Sequence, residues 1–181
     1  MRLPSLIHLI QAVQAIARCE RVVVLGSASL LARFPELGET GQPLELSYDA
    51  DLLVEPSDEE LAKVLHEAVG EGSFFEERNG YHADILRPEI VETLPAGWNG
   101  RLVPLVQVEH AQGLDAYDLA ILKLQVGRAK DLDLCRHLLA THRISGGILQ
   151  TRLRATSMEE RLVVSTHANL KAVLDAAVNG D

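Results

Sequence analysis

The sequence predicts an α+β fold: a mixed β-sheet with flanking helices over residues 1–112, followed by a helical C-terminal part over residues 113–181. Three observations lead there. In the first part, short apolar runs closed by Gly or Pro alternate with segments of helical period, as buried strands and their covering helices do. Beyond residue 113 the strand signals stop and apolar residues recur at helical spacing. The chain of 181 residues suits one domain with a helical extension, at about 100–200 residues per domain.

The elements follow in order. Residues 3–18 repeat apolar side chains at helical spacing through Leu6, Leu9, Ile10, Val13, Ile16 and Ala17, an amphipathic helix. Residues 21–27, RVVVLGS, form a buried strand that ends in a tight Gly-Ser turn. A short helix over 28–34 starts directly after it. Residues 36–47, rich in Gly, Glu and Pro, read as a loop. YDADLLVEP returns to strand character and Pro56 ends it. Ser57 with Glu60 makes a capping-box pattern for a helix through about Val69. Residues 72–88 read as two strands joined by Asn79-Gly80, a hairpin signal. RLVPLVQVE, residues 101–109, is a further strand, and Pro104 places it at a sheet edge. From about Asp115 the chain is helical, with Asp115 or its neighbours as the cap. Gly127 marks a kink or break, and a short and a long helix complete the chain.

Composition narrows the classes of function. Aromatics are only 4% of the residues, so the core is aliphatic. The formal net charge of −9 argues against broad, non-specific DNA binding, which needs many phosphate-neutralising cations. Cys19 and Cys135 lack zinc-type spacing and read as two reduced thiols. No signal-peptide layout and no apolar stretch of about 18 residues is present, so the expected setting is the cytoplasm, with no membrane span.

Three features carry chemistry. Gly26 and Ser27 stand between a strand and a helix, where backbone N–H groups and a hydroxyl favour a phosphate. Asp49 and Asp51, at i and i+2 on a strand, project to one face, with Ala50 and Leu52 toward the core. Two adjacent carboxylates repel unless a cation lies between them, and hard oxygen ligands suit magnesium. Asp84 is a third acid, in the strand-like segment Tyr81-His82-Ala83-Asp84-Ile85-Leu86, where Asp is disfavoured. Parity puts it with His82 on one face. Three carboxylates on neighbouring strands can hold the two ions used in phosphoryl transfer.

A Gly-Ser turn, then Asp-x-Asp, then a third acid on a later strand resembles the nucleotidyltransferase superfamily of DNA polymerase beta, over about residues 20–90. Lys123, Arg128, Lys130 and Asp131 resemble the helical motif of AbiEii-type toxins and related uncharacterised bacterial nucleotidyltransferases, and Ser47 resembles the Ser/Thr of their Ser/Thr-x-Asp-x-Asp pattern. The resemblance implies a nucleotidyltransferase-like sheet. It implies metal binding by Asp49, Asp51 and Asp84, with magnesium (or manganese) as the cofactor and Asp84 also the base. It implies nucleotide binding by Gly26, Ser27, Ser47, Lys123 and Arg128, with Lys130 and Asp131 as a local pair that fixes the helix. The activity implied is transfer of NMP from a nucleoside triphosphate to a hydroxyl or RNA end. A tRNA or protein acceptor and an antitoxin partner follow if the chain is the toxin of a toxin–antitoxin pair. The alternative is a catalytically degenerate nucleotide-binding module of the same fold, which the replacement of the usual basic residue by Glu45 and Leu46 favours. His82 reads as a structural hydrogen-bonder before a general base, His137 and His142 as surface residues, and Trp98 as a side chain packed under its loop.

Overall fold

The computed structural model describes residues 1–56 and 58–179. It forms two compact units, Met1–Glu92 with Asn99–Asp115, and Thr93–Trp98 with Ala116–Asp181.

The first unit is built on a five-stranded mixed sheet of order β3-β2-β1-β5-β4. Helix α1, Leu3–Ala17, buries Leu6, Leu9, Ile10 and Val13 completely. Each such side chain contributes about 1.5–3 kcal/mol on leaving water. Ile16, on the same periodic list, is 39% exposed at the helix end. Strand β1, Arg21–Val24, is buried through Val22, Val23 and Val24. Strand β2, Asp49–Glu55, runs antiparallel to it, with Val24 opposite Leu52. Strand β3, His82–Ile85, runs parallel to β2 and in register with it. Among the described residues no helix is long and apolar enough to cross a membrane.

Local expectations are corrected at several places. The segment expected to start a hairpin is instead a helix, α3, Phe74–Asn79. Ser73 caps it by accepting from the Glu76 N–H, and Gly80 ends it at φ 78°, a left-handed turn that glycine adopts without strain. Asn79-Gly80 is therefore a helix stop and not a strand turn. Helix α2, Glu59–Val69, is capped by Asp58, whose side chain accepts from the Leu61 N–H. Ser57 lies outside the described residues. The strand expected over 101–109 shrinks to β4, Val103–Pro104, at the sheet edge where Pro104 belongs. The sheet's other strand is β5, Ala111–Gly113, parallel to β1. The helix after the Gly-Ser turn is a 3-10 helix, Ser27–Ala32, and a second one, Pro35–Gly38, interrupts the expected loop.

The second unit holds α4, Ala116–Val126, α5, Ala129–Ala140, α6, Gly146–Arg154, and α7, Glu160–Asn179. Helix α7 packs on α4 and α5. Gly127 separates α4 from α5 at φ 69°, the break read from the sequence. Leu119, Leu124, Leu134, Leu138 and Leu153 are buried here.

Candidate functional site

Strand β2 carries the Asp-x-Asp pair because its period-2 pattern sets Ala50 and Leu52, both fully buried, against Asp49 and Asp51. The β2–β3 register places His82 across from Asp49 and Asp84 across from Asp51. Directly paired residues of parallel strands point to the same side of the sheet. Asp49, Asp51, His82 and Asp84 thus share one face, on strands about 4.8 Å apart. Asp49 is exposed, while Asp51 and Asp84 are half-buried.

The Gly-Ser turn meets this face at Asp51. The Leu25 N–H donates to the Asp51 carbonyl oxygen at 2.9 Å. Gly26 sits at φ −84°, ψ −164°, extended backbone open to any residue. Its lack of a side chain has a different cause: a Cβ there would fall 1.6 Å from Asp51 Oδ2. The turn is glycine so that the carboxylate can lie against the backbone. Ser27 is half-buried, and Ser29 Oγ is buried with no hydrogen-bond partner. Ser47 donates to Asp49 Oδ1 over a long 3.4 Å.

His82 makes the hydrogen bond that its position on the strand suggests. Its Nδ1 lies 2.6 Å from Glu76 Oε1, and its Nε2 lies 3.7 Å from Asp84 Oδ1. The Gly72 N–H donates to Glu76 Oε2 at 2.7 Å. That bond, and then His82, hold the Glu76 carboxyl below the ordinary carboxylate range. Glu76 was missed because its segment reads as a strand. The signal that finds it is Ser73-x-x-Glu76, a capping-box spacing.

Lys123 and Arg128 belong to the second unit, where both engage Asp131. Lys123 Nζ is 3.1 Å from Asp131 Oδ1, and Arg128 Nε donates to Oδ2 at 2.7 Å. The expected Lys130–Asp131 pair is replaced by these two, because Asp131 is buried between α4 and α5 and its side chain is 2% exposed. Burial raises the Asp131 carboxyl, yet the hydrogen bonds from Arg128 and Lys123 outweigh it and hold the group below its ordinary value. His142 is exposed as expected, but His137 is half-buried, with Nε2 lacking a hydrogen-bond partner. Trp98 is half-buried.

The donor chemistry on the sheet face fits a hard divalent cation: carboxylates from two adjacent, in-register strands, on one side. Among the described residues no three acid, His or Cys side chains are drawn together into a ready-made cage. Like charges keep apart where no cation lies between them, and the Asp84 side chain is 48% exposed.

The model of one protein family, described as nucleotidyltransferase of unknown function (DUF6036), matches residues 1–172. No curated protein and no solved structure matches the chain.

Proposed function

The chain belongs to this nucleotidyltransferase family, and on that premise we propose that it is a divalent-metal-dependent enzyme transferring NMP from a nucleoside triphosphate to a hydroxyl or an RNA end. The observation that carries the reading is the register of β2 and β3, which sets Asp84 beside Asp51 on the face where the Gly26-Ser27 turn arrives.

In this reading Asp49 and Asp51 hold the magnesium (or manganese), and Asp84 completes one position. Bound divalent ions would neutralise the phosphates and the charge growing on the attacking and leaving oxygens. The Gly26-Ser27 turn and Ser47 orient the phosphates with N–H and hydroxyl donors. Asp84 takes the proton of the acceptor hydroxyl as its oxygen bonds to the α-phosphorus. The bond to the β-phosphate oxygen breaks and pyrophosphate leaves. Within the second unit, Arg128 and Lys123 both hold Asp131. The setting is cytoplasmic.

Single Asp49→Ala and Asp51→Ala variants test the reading by calorimetry with magnesium and ATP or CTP, followed by labelled-nucleotide transfer to a panel of tRNAs and proteins. Loss of binding and transfer is expected. Unchanged binding and transfer in both variants would sink it. Glu45 and Leu46, standing where a basic residue is usual, favour a second reading in which the fold binds nucleotide without turnover. Robust transfer by the wild-type chain rules that out. The resemblance of the α4–α5 motif to AbiEii-type toxins extends the first reading to a toxin with an antitoxin partner, for which growth arrest on expression is the expected sign.

A further inference from the structure

We propose that His82 Nε2 is itself a metal ligand, paired with Asp84 Oδ1, and that it tunes this position toward manganese-class ions and away from magnesium; the proposal rests on the metal-dependent reading above.

The geometry begins at Glu76. An ionised carboxylate can only accept a hydrogen bond. At 2.6 Å from Glu76 Oε1, His82 Nδ1 therefore carries the proton and donates it. In the neutral ring the lone pair then belongs to Nε2. That nitrogen faces Asp84 Oδ1 at 3.7 Å, too long for a hydrogen bond. Two donors each about 2.0–2.2 Å from one ion lie at most about 4.4 Å apart, so 3.7 Å is a separation that a single cation can bridge.

The surroundings match what a ligating imidazole needs. Metal-bound histidines nearly always give their other N–H to a carboxylate, a backbone carbonyl or a water, which fixes the tautomer and the plane of the ring. Here Glu76 does so, and it is fixed in turn by the Gly72 N–H. The His82 side chain is 12% exposed and pinned, whereas that of Asp84 is 48% exposed. A rigid nitrogen and an adaptable oxygen thus face each other, beside Asp49 and Asp51 on the same face. Carboxylates suit magnesium and manganese alike, but an imidazole nitrogen suits first-row transition ions and is a poor magnesium ligand. The competing role for His82 is that of an imidazolium that only bridges Glu76 and Asp84.

Pulsed electron paramagnetic resonance of bound manganese separates the two roles, because nitrogen-14 coupling appears only if an imidazole ligates. The wild-type chain is expected to show it. His82→Gln, which keeps a polar partner for Glu76, loses the coupling and binds manganese at least about tenfold more weakly, with magnesium affinity little changed. Glu76→Gln weakens manganese binding by roughly 10–100-fold, as removing an outer-shell partner does. Circular dichroism confirms that each variant is folded, and the wild-type spectrum decides the question even if a variant is not. Bound manganese without nitrogen coupling in the wild-type chain overturns the proposal. If Asp51→Ala then still abolishes binding, the carboxylate site stands without His82. If Asp51→Ala leaves binding and coupling intact, the His82–Asp84 position survives and the nucleotidyltransferase reading of the face fails.

Discussion

Replacing Gly26 by alanine is a severe test of the proposed site, because the methyl group enters at one place only. The backbone at Gly26 is extended and accepts any residue, so the substitution adds no conformational strain. The new Cβ would lie 1.6 Å from Asp51 Oδ2 and 2.7 Å from its Cγ. Contacts under 3.0 Å do not persist, so the carboxylate oxygen must retreat by about 1.4 Å. Metal–ligand distances tolerate only about 0.2 Å, so Asp51 leaves the site. Crowding of this kind destabilises by about 1–3 kcal/mol, a fall in Tm of about 2–12 °C for a chain of this size. If Asp51 holds the proposed ion, metal affinity falls further, by more than about tenfold, the loss that removing even an outer-shell partner brings. Calorimetric metal titration and thermal melts measure both. The double variant sharpens the test. With Asp51→Ala in place, only the Asp51 Cβ remains near, at 3.1 Å, and most of the stability loss from Gly26→Ala should vanish. An equal loss in both backgrounds, or wild-type metal affinity in Gly26→Ala, refutes the reasoning.

Three further outcomes are expected. The Asp131 carboxyl, held below its ordinary value, contributes stability in full above the unfolded carboxylate pKa of about 3.9 and loses it as pH falls through the lower folded value. Lys123→Met is therefore expected to cost about 3 kcal/mol near neutral pH, shrinking in acid. Urea melts at pH 7 and pH 3 measure this, and a loss below about 1 kcal/mol at pH 7 would show that the pair behaves like a surface one. Burial, with Asp131 adding to it, pushes the Cys135 thiol up to about 12, so at pH 8 a disulfide reagent should modify Cys19 and reach Cys135 only in denaturant; equal rates in native buffer contradict this. Gly127→Ala, at φ 69° and with Asn169 Nδ2 2.6 Å from the new Cβ, should lower stability by at least about 1–2 kcal/mol in denaturant titrations.

What was legible in the sequence follows from how local each signal is. Strand β2 was readable because Asp49-Ala50-Asp51-Leu52 alternates and Pro56 stops it. The turn was readable because Gly26 and Ser27 follow three valines and a leucine. Helix α3 was not, since Asn79-Gly80 serves a hairpin and a helix end equally well, and only Ser73 with Glu76 breaks the tie. Strand β5 has three residues and no apolar run. It exists because β1 offers a free edge, through bonds such as that from the Leu114 N–H to the Val24 carbonyl oxygen. Asp131 finds Lys123 eight positions back across the Gly127 break, a pairing that spacing within one helix cannot indicate. The Glu76–His82 contact was hidden for the same reason as α3: it exists only once that segment coils.

The parallel pairing of β2 and β3 also sets the order in which the protein's parts can be born. Parallel neighbours need a crossover of a dozen residues or more, and here α2 and α3 fill it. Asp84 lies 33 positions after Asp51. At about 5–20 residues per second, a ribosome delivers it roughly 2–7 seconds later. For that interval the nascent chain displays Asp49 and Asp51 with no third acid to meet them. Closing the crossover then brings Asp84 beside Asp51, negative charge beside negative charge. On the metal-dependent reading proposed above, a divalent cation would relieve the repulsion once this pairing has formed and would not be its nucleus.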